Sequence, residues 1–182
     1  MKNLLTVKEV RPELPFRINY GMGDISLRRN EKNDFDFDVY LPSKGINLQR
    51  PLVWTEFQKE QLVYSIFKGL KLPNISVLKH FPTDAHRERR DYIYQVIDGK
   101  QRLTTLISFI DNEFSVDWKG KLYFFDDLHP YLQSDFYESI TSNIGFDYPN
   151  ERVSDDAKIA WFEMINFAGT PQDIEHLKKL KK

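Results

Sequence analysis

The stretch Tyr92-Ile93-Tyr94-Gln95-Val96-Ile97-Asp98-Gly99-Lys100-Gln101-Arg102-Leu103-Thr104-Thr105-Leu106-Ile107-Ser108-Phe109-Ile110-Asp111 changes its periodicity once, at Gly99. Before the glycine, Tyr92 to Ile97 is aromatic and β-branched, as a strand is. After it, Leu103, Leu106, Ile107 and Ile110 recur at helical spacing, which predicts a helix from about Lys100 to Asp111. A helix that begins directly after a strand leaves its first N–H groups without intrahelical partners. Those donors and the positive end of the dipole favour an anion. Gly99 can take a positive φ and let another group approach the backbone. Lys100 and Arg102 add positive charge, and Arg102 can grip phosphate with a bidentate fork. Thr104 and Thr105 offer hydroxyls, and Asp98 can orient Arg102 or hold a divalent cation through oxygen. The plain alternative is a solvated Asp-Gly turn followed by solvated basic residues. The residue types leave both open.

Upstream, Phe35 to Leu41 alternates apolar and polar residues and reads as a half-buried strand, with Phe35, Phe37, Val39 and Leu41 inward. Pro42 to Gly45 is a turn, and Ile46 to Leu48 a short strand. Thr55 and Gln58 have capping-box spacing, which starts a helix at Glu56. That helix runs to about Lys68, where Gly69 ends it and Pro73 forbids continuation. Ile75 to Leu78 is a further strand. Residues 1–34 carry no clear pattern and are taken as an irregular N-terminal extension, with Gly21-x-Gly23 as a turn. Downstream, a hairpin is predicted around Lys119-Gly120, and a short helix near Tyr131 to Tyr137. The rest of residues 126–150 is ambiguous. Ser154 caps a helix with Asp155 and Asp156 in its first turn. Ile159, Phe162 and Ile165 form its buried stripe, and Gly169 ends it. Thr170-Pro171 starts a last helix.

The bulk numbers fit one domain over residues 1–182. Hydrophobic residues make up 41% of the chain and aromatics 14%, enough for a packed core. The net charge of -1 supplies no global positive field, so any nucleic-acid contact requires a local patch. With no cysteine, disulfides and thiolate metal sites are excluded, in keeping with a reducing, cytoplasmic compartment. No signal-peptide pattern or run of about 18 apolar residues points to a membrane.

The Ile97–Leu106 stretch also resembles the "DGQQRLTTL" signature of the GmrSD-type restriction endonuclease N-terminal domain. Leu48-Gln49-Arg50-Pro51-Leu52-Val53-Trp54 is similar to that family's "YQRxYVW" segment. Gln58 to Val77, with Gly69 and Pro73, fits its next pattern, and Phe162 to Pro171 is similar to its "FxxINxxGTP". The resemblance spans roughly residues 45–173 and holds in order. It implies an α+β fold of ParB/sulfiredoxin-like type: a small mixed sheet with flanking helices. It further implies a site for nucleotide or another phosphate group, with NTP and Mg²⁺ as cofactors, in a bacterial or phage-infected cell. Gln49, Arg50, Asp98, Gly99, Lys100, Gln101, Arg102 and Thr104 are then the binding residues, and Asp98 and Arg102 the catalytic candidates if the nucleotide is hydrolysed. Lys100 stands where the family usually has glutamine. The nuclease half of such systems is expected elsewhere, as a separate subunit; a homo-oligomer is the other partner expected.

Further candidates are weaker. Arg87, Arg89 and Arg90 in the loop after Lys79 can meet a phosphate backbone and carry the alternative reading, a non-catalytic DNA- or protein-binding module. Glu88, Asp84 and Asp91 dilute their charge. Asp111, Asp117 and Lys119 crudely resemble a nuclease core, but a hairpin turn accounts for them. Asp126-Asp127 reads as a helix start before a metal site. The four histidines lack nuclease spacing, and Trp54, Trp118 and Trp161 read as core or rim aromatics.

Overall fold

The computed structural model describes residues 22–24, 27, 35–82 and 92–167. Its strands are β1 (Met22–Asp24), β2 (Phe35–Asp36), β3 (Tyr40–Leu41), β4 (Ile46–Asn47), β5 (Ile75–His80), β6 (Ile93–Asp98), β7 (Val116–Trp118), β8 (Lys121–Tyr123) and β9 (Thr141–Asp147). Its α-helices are α1 (Glu56–Phe67), α2 (Lys100–Ile110), α3 (Pro130–Glu138) and α4 (Asp155–Phe167). Five strands form a mixed sheet in the order β1-β9-β5-β6-β2. The pairs β5–β6 and β1–β9 are antiparallel, while β5–β9 and β2–β6 are parallel. The fold class is therefore α+β, as expected.

The sheet has two covered faces. Ile75, Val77, Tyr94 and Val96 pack under α1, α2 and α3 through Leu62, Val63, Ile66, Leu103, Leu106, Phe109 and Phe136. Leu78 and Ile97, on the other face, meet α4 through Ala157, Trp161 and Phe162, with Val39, Leu41 and Leu48 beside them. Gly145 lets α4 come close: a Cβ there would lie 3.1 Å from both Leu78 and Trp161. Side chains of alternate parity on β5 and β6 thus serve two cores, which is why these strands read as nearly continuous apolar runs.

Helix starts follow their local chemistry. Thr55 and Gln58 form the capping box in both directions. The Ser154 hydroxyl accepts from Ala157 N at 3.2 Å. The β7–β8 hairpin turns at Lys119 and Gly120, with φ of 57° and 83°, the pair of positive values that a tight hairpin turn needs.

Two expectations need correcting, and one stretch left open takes form. Phe35 to Leu41 is not one strand. The Asp36 carboxylate accepts from the amides of Asp38 and Val39, each at 3.0 Å, and Val39 takes φ 50°. This side-chain turn breaks the strand into β2 and β3, although Val39 and Leu41 are buried as the alternation requires. Met22–Asp24, read within a turn, is an edge strand on β9, and Leu27 is buried. Three residues around a glycine carry no alternation to read. Finally, β9 lies in the ambiguous stretch. Its sequence TSNIGFD mixes polar and small residues because Ser142, Gly145 and Asp147 are all buried in close contacts. The predicted end of α4 at Gly169 and the helix at Thr170-Pro171 lie outside the described residues.

Candidate functional site

At the C-terminal end of β6 the chain passes through Gly99 straight into α2. Gly99 has φ 97°, and a Cβ there would fall 2.4 Å from Ile75 Cγ2, so both backbone and packing demand glycine. As the N-cap residue it offers no side chain, and no side-chain hydrogen bond caps the start of α2. Beside this open helix start lies a cleft of about 160 Å³, lined by Gln49, Arg50, Trp54, Asp98, Gly99, Lys100, Gln101, Arg102, Phe162 and Asn166.

Most of the predicted polar side chains in this cleft are engaged with the protein itself. Arg102 Nη2 donates to Asp98 Oδ2 at 2.9 Å and weakly to Asn74 O at 3.4 Å, while Nη1 donates to Pro73 O. Arg102 thus ties the chain before β5 to the end of β6. The Lys100 side chain is only 9% exposed, and its Nζ donates to Asp38 Oδ1 at 2.8 Å, tying down the turn after β2. Gln101 Oε1 accepts from Val53 N at 3.0 Å and Trp54 N at 3.3 Å, and its Nε2 donates to Pro51 O at 3.0 Å. Gln49 is buried and donates through Nε2 to Val96 O and Ile97 O at 2.8 and 2.6 Å.

Two groups stand apart. Arg50 lines the cleft half-buried and makes no hydrogen bond or ion pair among the described residues. Among the described residues the Asp98 side chain is engaged through Oδ2 alone, by Arg102. The arrangement therefore presents uncommitted backbone donors, one uncommitted guanidinium and one carboxylate oxygen to a single small cleft. Its chemistry is anion binding, with room for a cation carried by the anion.

Seven of the eight predicted binding residues line this cleft; Thr104 does not. Trp54, Phe162 and Asn166 line it without having been assigned to the site. Their signal lay in the flanking motifs: Trp54 closes the segment after Arg50, and Phe162 and Asn166 share one face of α4, four residues apart. Asn166 is buried and donates to Phe162 O at 2.8 Å. Arg87, Arg89 and Arg90 lie outside the described residues. Asp117 Oδ1 accepts from Gly120 N at 2.7 Å, as a hairpin carboxylate does, and Asp127 Oδ2 accepts from Phe124 N at 2.9 Å to cap a 3₁₀ turn. Among the described residues no three acidic or histidine side chains converge to hold a metal, and no helix is long and apolar enough to cross a membrane.

A second polar cluster lies at the other end of the sheet. Asp147, at the end of β9, accepts from His80 Nδ1 at 2.5 Å and Arg152 Nη1 at 3.4 Å through Oδ2, and from Val153 N at 2.8 Å through Oδ1. Burial works to raise its pKa. The hydrogen bonds from His80 and Val153 and the charges of His80 and Arg152 outweigh that, holding the carboxyl below its ordinary value.

Comparison with known proteins follows the same motifs. No curated protein and no solved structure matches the chain. The family model of the GmrSD restriction endonuclease, N-terminal domain, matches residues 26–180. That match takes in β2 to α4 and every residue that lines the cleft, so the chain belongs to the GmrSD N-terminal domain family and is a domain of the restriction-system type.

Proposed function

We propose that this domain binds a nucleotide by its phosphates in the cleft at the start of α2. The observation that carries the reading is the uncapped helix start beside the same cleft as Arg50, which has no partner among the described residues. Backbone N–H groups and the helix dipole meet the phosphate, and Arg50 closes on it from the opposite segment. Arg102 is a scaffold residue, because its guanidinium is already divided between Asp98 and two carbonyl groups. Lys100 contributes field more than contact while Asp38 holds it.

Asp98 fits a supporting role for Mg²⁺. One carboxylate oxygen is too little to hold this ion alone, but it suffices for an ion that arrives with phosphate oxygens as its other ligands. Hydrolysis of the bound nucleotide, with Asp98 beside the cation, is the catalytic extension of this reading. The kinship with ParB/sulfiredoxin-like domains implied by the motifs belongs with it. A charge-assisted contact of this kind is worth about 2 kcal/mol, or roughly thirtyfold in affinity. Calorimetric titration with ATP, GTP, CTP and UTP, with and without Mg²⁺, tests the proposal. At least one should bind, and Arg50→Ala should weaken it by about that factor. No binding of any of the four would overturn it.

A further inference from the structure

The segment between β4 and α1 is held at two points, and Arg50 lies between them. On one side, both N–H groups of the buried Gln49 amide are committed to Val96 O and Ile97 O. On the other, the Gln101 amide accepts from Val53 N and Trp54 N and donates to Pro51 O. An amide has two acceptor lone pairs and two donors, so Gln101 has spent both lone pairs and one N–H on three residues of a neighbouring loop, Pro51, Val53 and Trp54. This loop carries two of the groups that line the cleft, Arg50 and Trp54. Beyond Gln101, nothing else on α2 is hydrogen-bonded to it among the described residues.

We infer that Gln101 is a positioning residue: it fixes the segment 50–54 so that Arg50 faces the start of α2, and it does not itself contact the ligand. The inference rests on the nucleotide-binding reading of the cleft. It assigns the glutamine of the Asp98–Arg102 turn a different task from its neighbours. Lys100 and Arg102 tie down the turn after β2 and the chain before β5, which carry no cleft cation. Gln101 ties down the loop that does. Preorganisation of this kind lowers the ordering cost that a ligand otherwise meets on binding.

A double-mutant cycle separates positioning from contact. Affinities for ATP, GTP, CTP, UTP and inorganic triphosphate are measured by calorimetry for wild type, Arg50→Ala, Gln101→Ala and the double variant. Amide hydrogen exchange at Val53 and Trp54 is followed without ligand. Gln101→Ala should speed exchange at both amides and weaken binding about tenfold, and the double variant should bind like Arg50→Ala alone. Losses that multiply in the double variant would mean direct contact and overturn the inference. So would wild-type affinity in Gln101→Ala. If exchange at Val53 and Trp54 quickens but wild type binds none of the five probes, the clamp stands and the nucleotide reading of the cleft is what has failed, taking the ligand role of Gln101 with it. If exchange is unchanged, the clamp itself is wrong whatever the affinities. Gln101→Glu, which retains the acceptor for Val53 and Trp54, should restore much of the slow exchange.

Discussion

Two carboxylate–cation clusters sit at opposite ends of the same sheet, and only one has the makings of a site. The Asp147 side chain is 2% exposed, and both its oxygens are engaged, by His80, Arg152 and the Val153 amide. The Asp98 side chain is 20% exposed, engages Arg102 through one oxygen, and stands beside an uncapped helix and a cleft. Paired charges alone therefore do not mark the candidate site proposed here; open bonding capacity next to a cleft is what sets it apart. The Asp147 cluster joins the end of β5 to the chain leading into α4, and its chemistry is spent on that join. At Asp98 the side chains of the turn are also spent on the scaffold, but among the described residues no side chain caps the start of α2 and none pairs with Arg50.

Breaking the closed cluster should have the largest effect. Asp147→Ala removes the buried carboxylate on which His80, Arg152 and the Val153 amide converge, leaving the Val153 N–H without its acceptor and His80 and Arg152 without their anion. It should cost about 3–5 kcal/mol in urea denaturation. Affinity in the cleft should stay unchanged per folded molecule. Next, Gly99→Ala strains a positive φ and drives a methyl into Ile75. A loss of about 2–4 kcal/mol is expected from strain and overpacking together, with the melting temperature as readout. A loss below about half a kilocalorie would mean that the start of α2 is more adaptable than its geometry implies.

The pH dependence sharpens the same contrast. Because the folded-state pKa of Asp147 lies below the ordinary 3.8, its contribution to stability is full above that value and is lost as the pH falls through the folded pKa. The stability gap between wild type and Asp147→Asn should therefore narrow as the pH falls below about 3.8. A gap that widens on acidification would reverse the assigned direction. The smallest effect tests the helix that follows the clamped segment: Thr55→Ala removes half of the capping box of α1 and should cost about 1 kcal/mol.

Legibility in the sequence followed the range of the interactions. The strand, glycine and helix of Tyr92 to Asp111 could be read because their signals are local: β-branched residues, a turn and a 3.6-residue period. The capping box at Thr55 and the cap at Ser154 were legible for the same reason. β9 was not, because its partners β5 and β1 lie far away in sequence and its small and polar residues answer to contacts with Leu78, Trp161, His80 and Val153. The site was legible in location but not in division of labour. Residue types mark Lys100, Gln101 and Arg102 as phosphate ligands, yet their partners Asp38, Pro51, Val53, Pro73 and Asn74 are 28 to 62 positions away. No spacing rule reaches that far. Only the folded chain separates an arginine that holds a loop from one left open to a guest.

Arg50→Ala and Arg102→Ala, compared side by side for nucleotide affinity and melting temperature, put that separation to its most direct test. Arg50→Ala should lose roughly thirtyfold in affinity with an unchanged melting temperature. Arg102→Ala should lower stability by about 1.5–3 kcal/mol through its broken bonds to Asp98 and to the chain before β5. The opposite pattern, full stability with binding abolished in Arg102→Ala and wild-type binding in Arg50→Ala, would contradict the account.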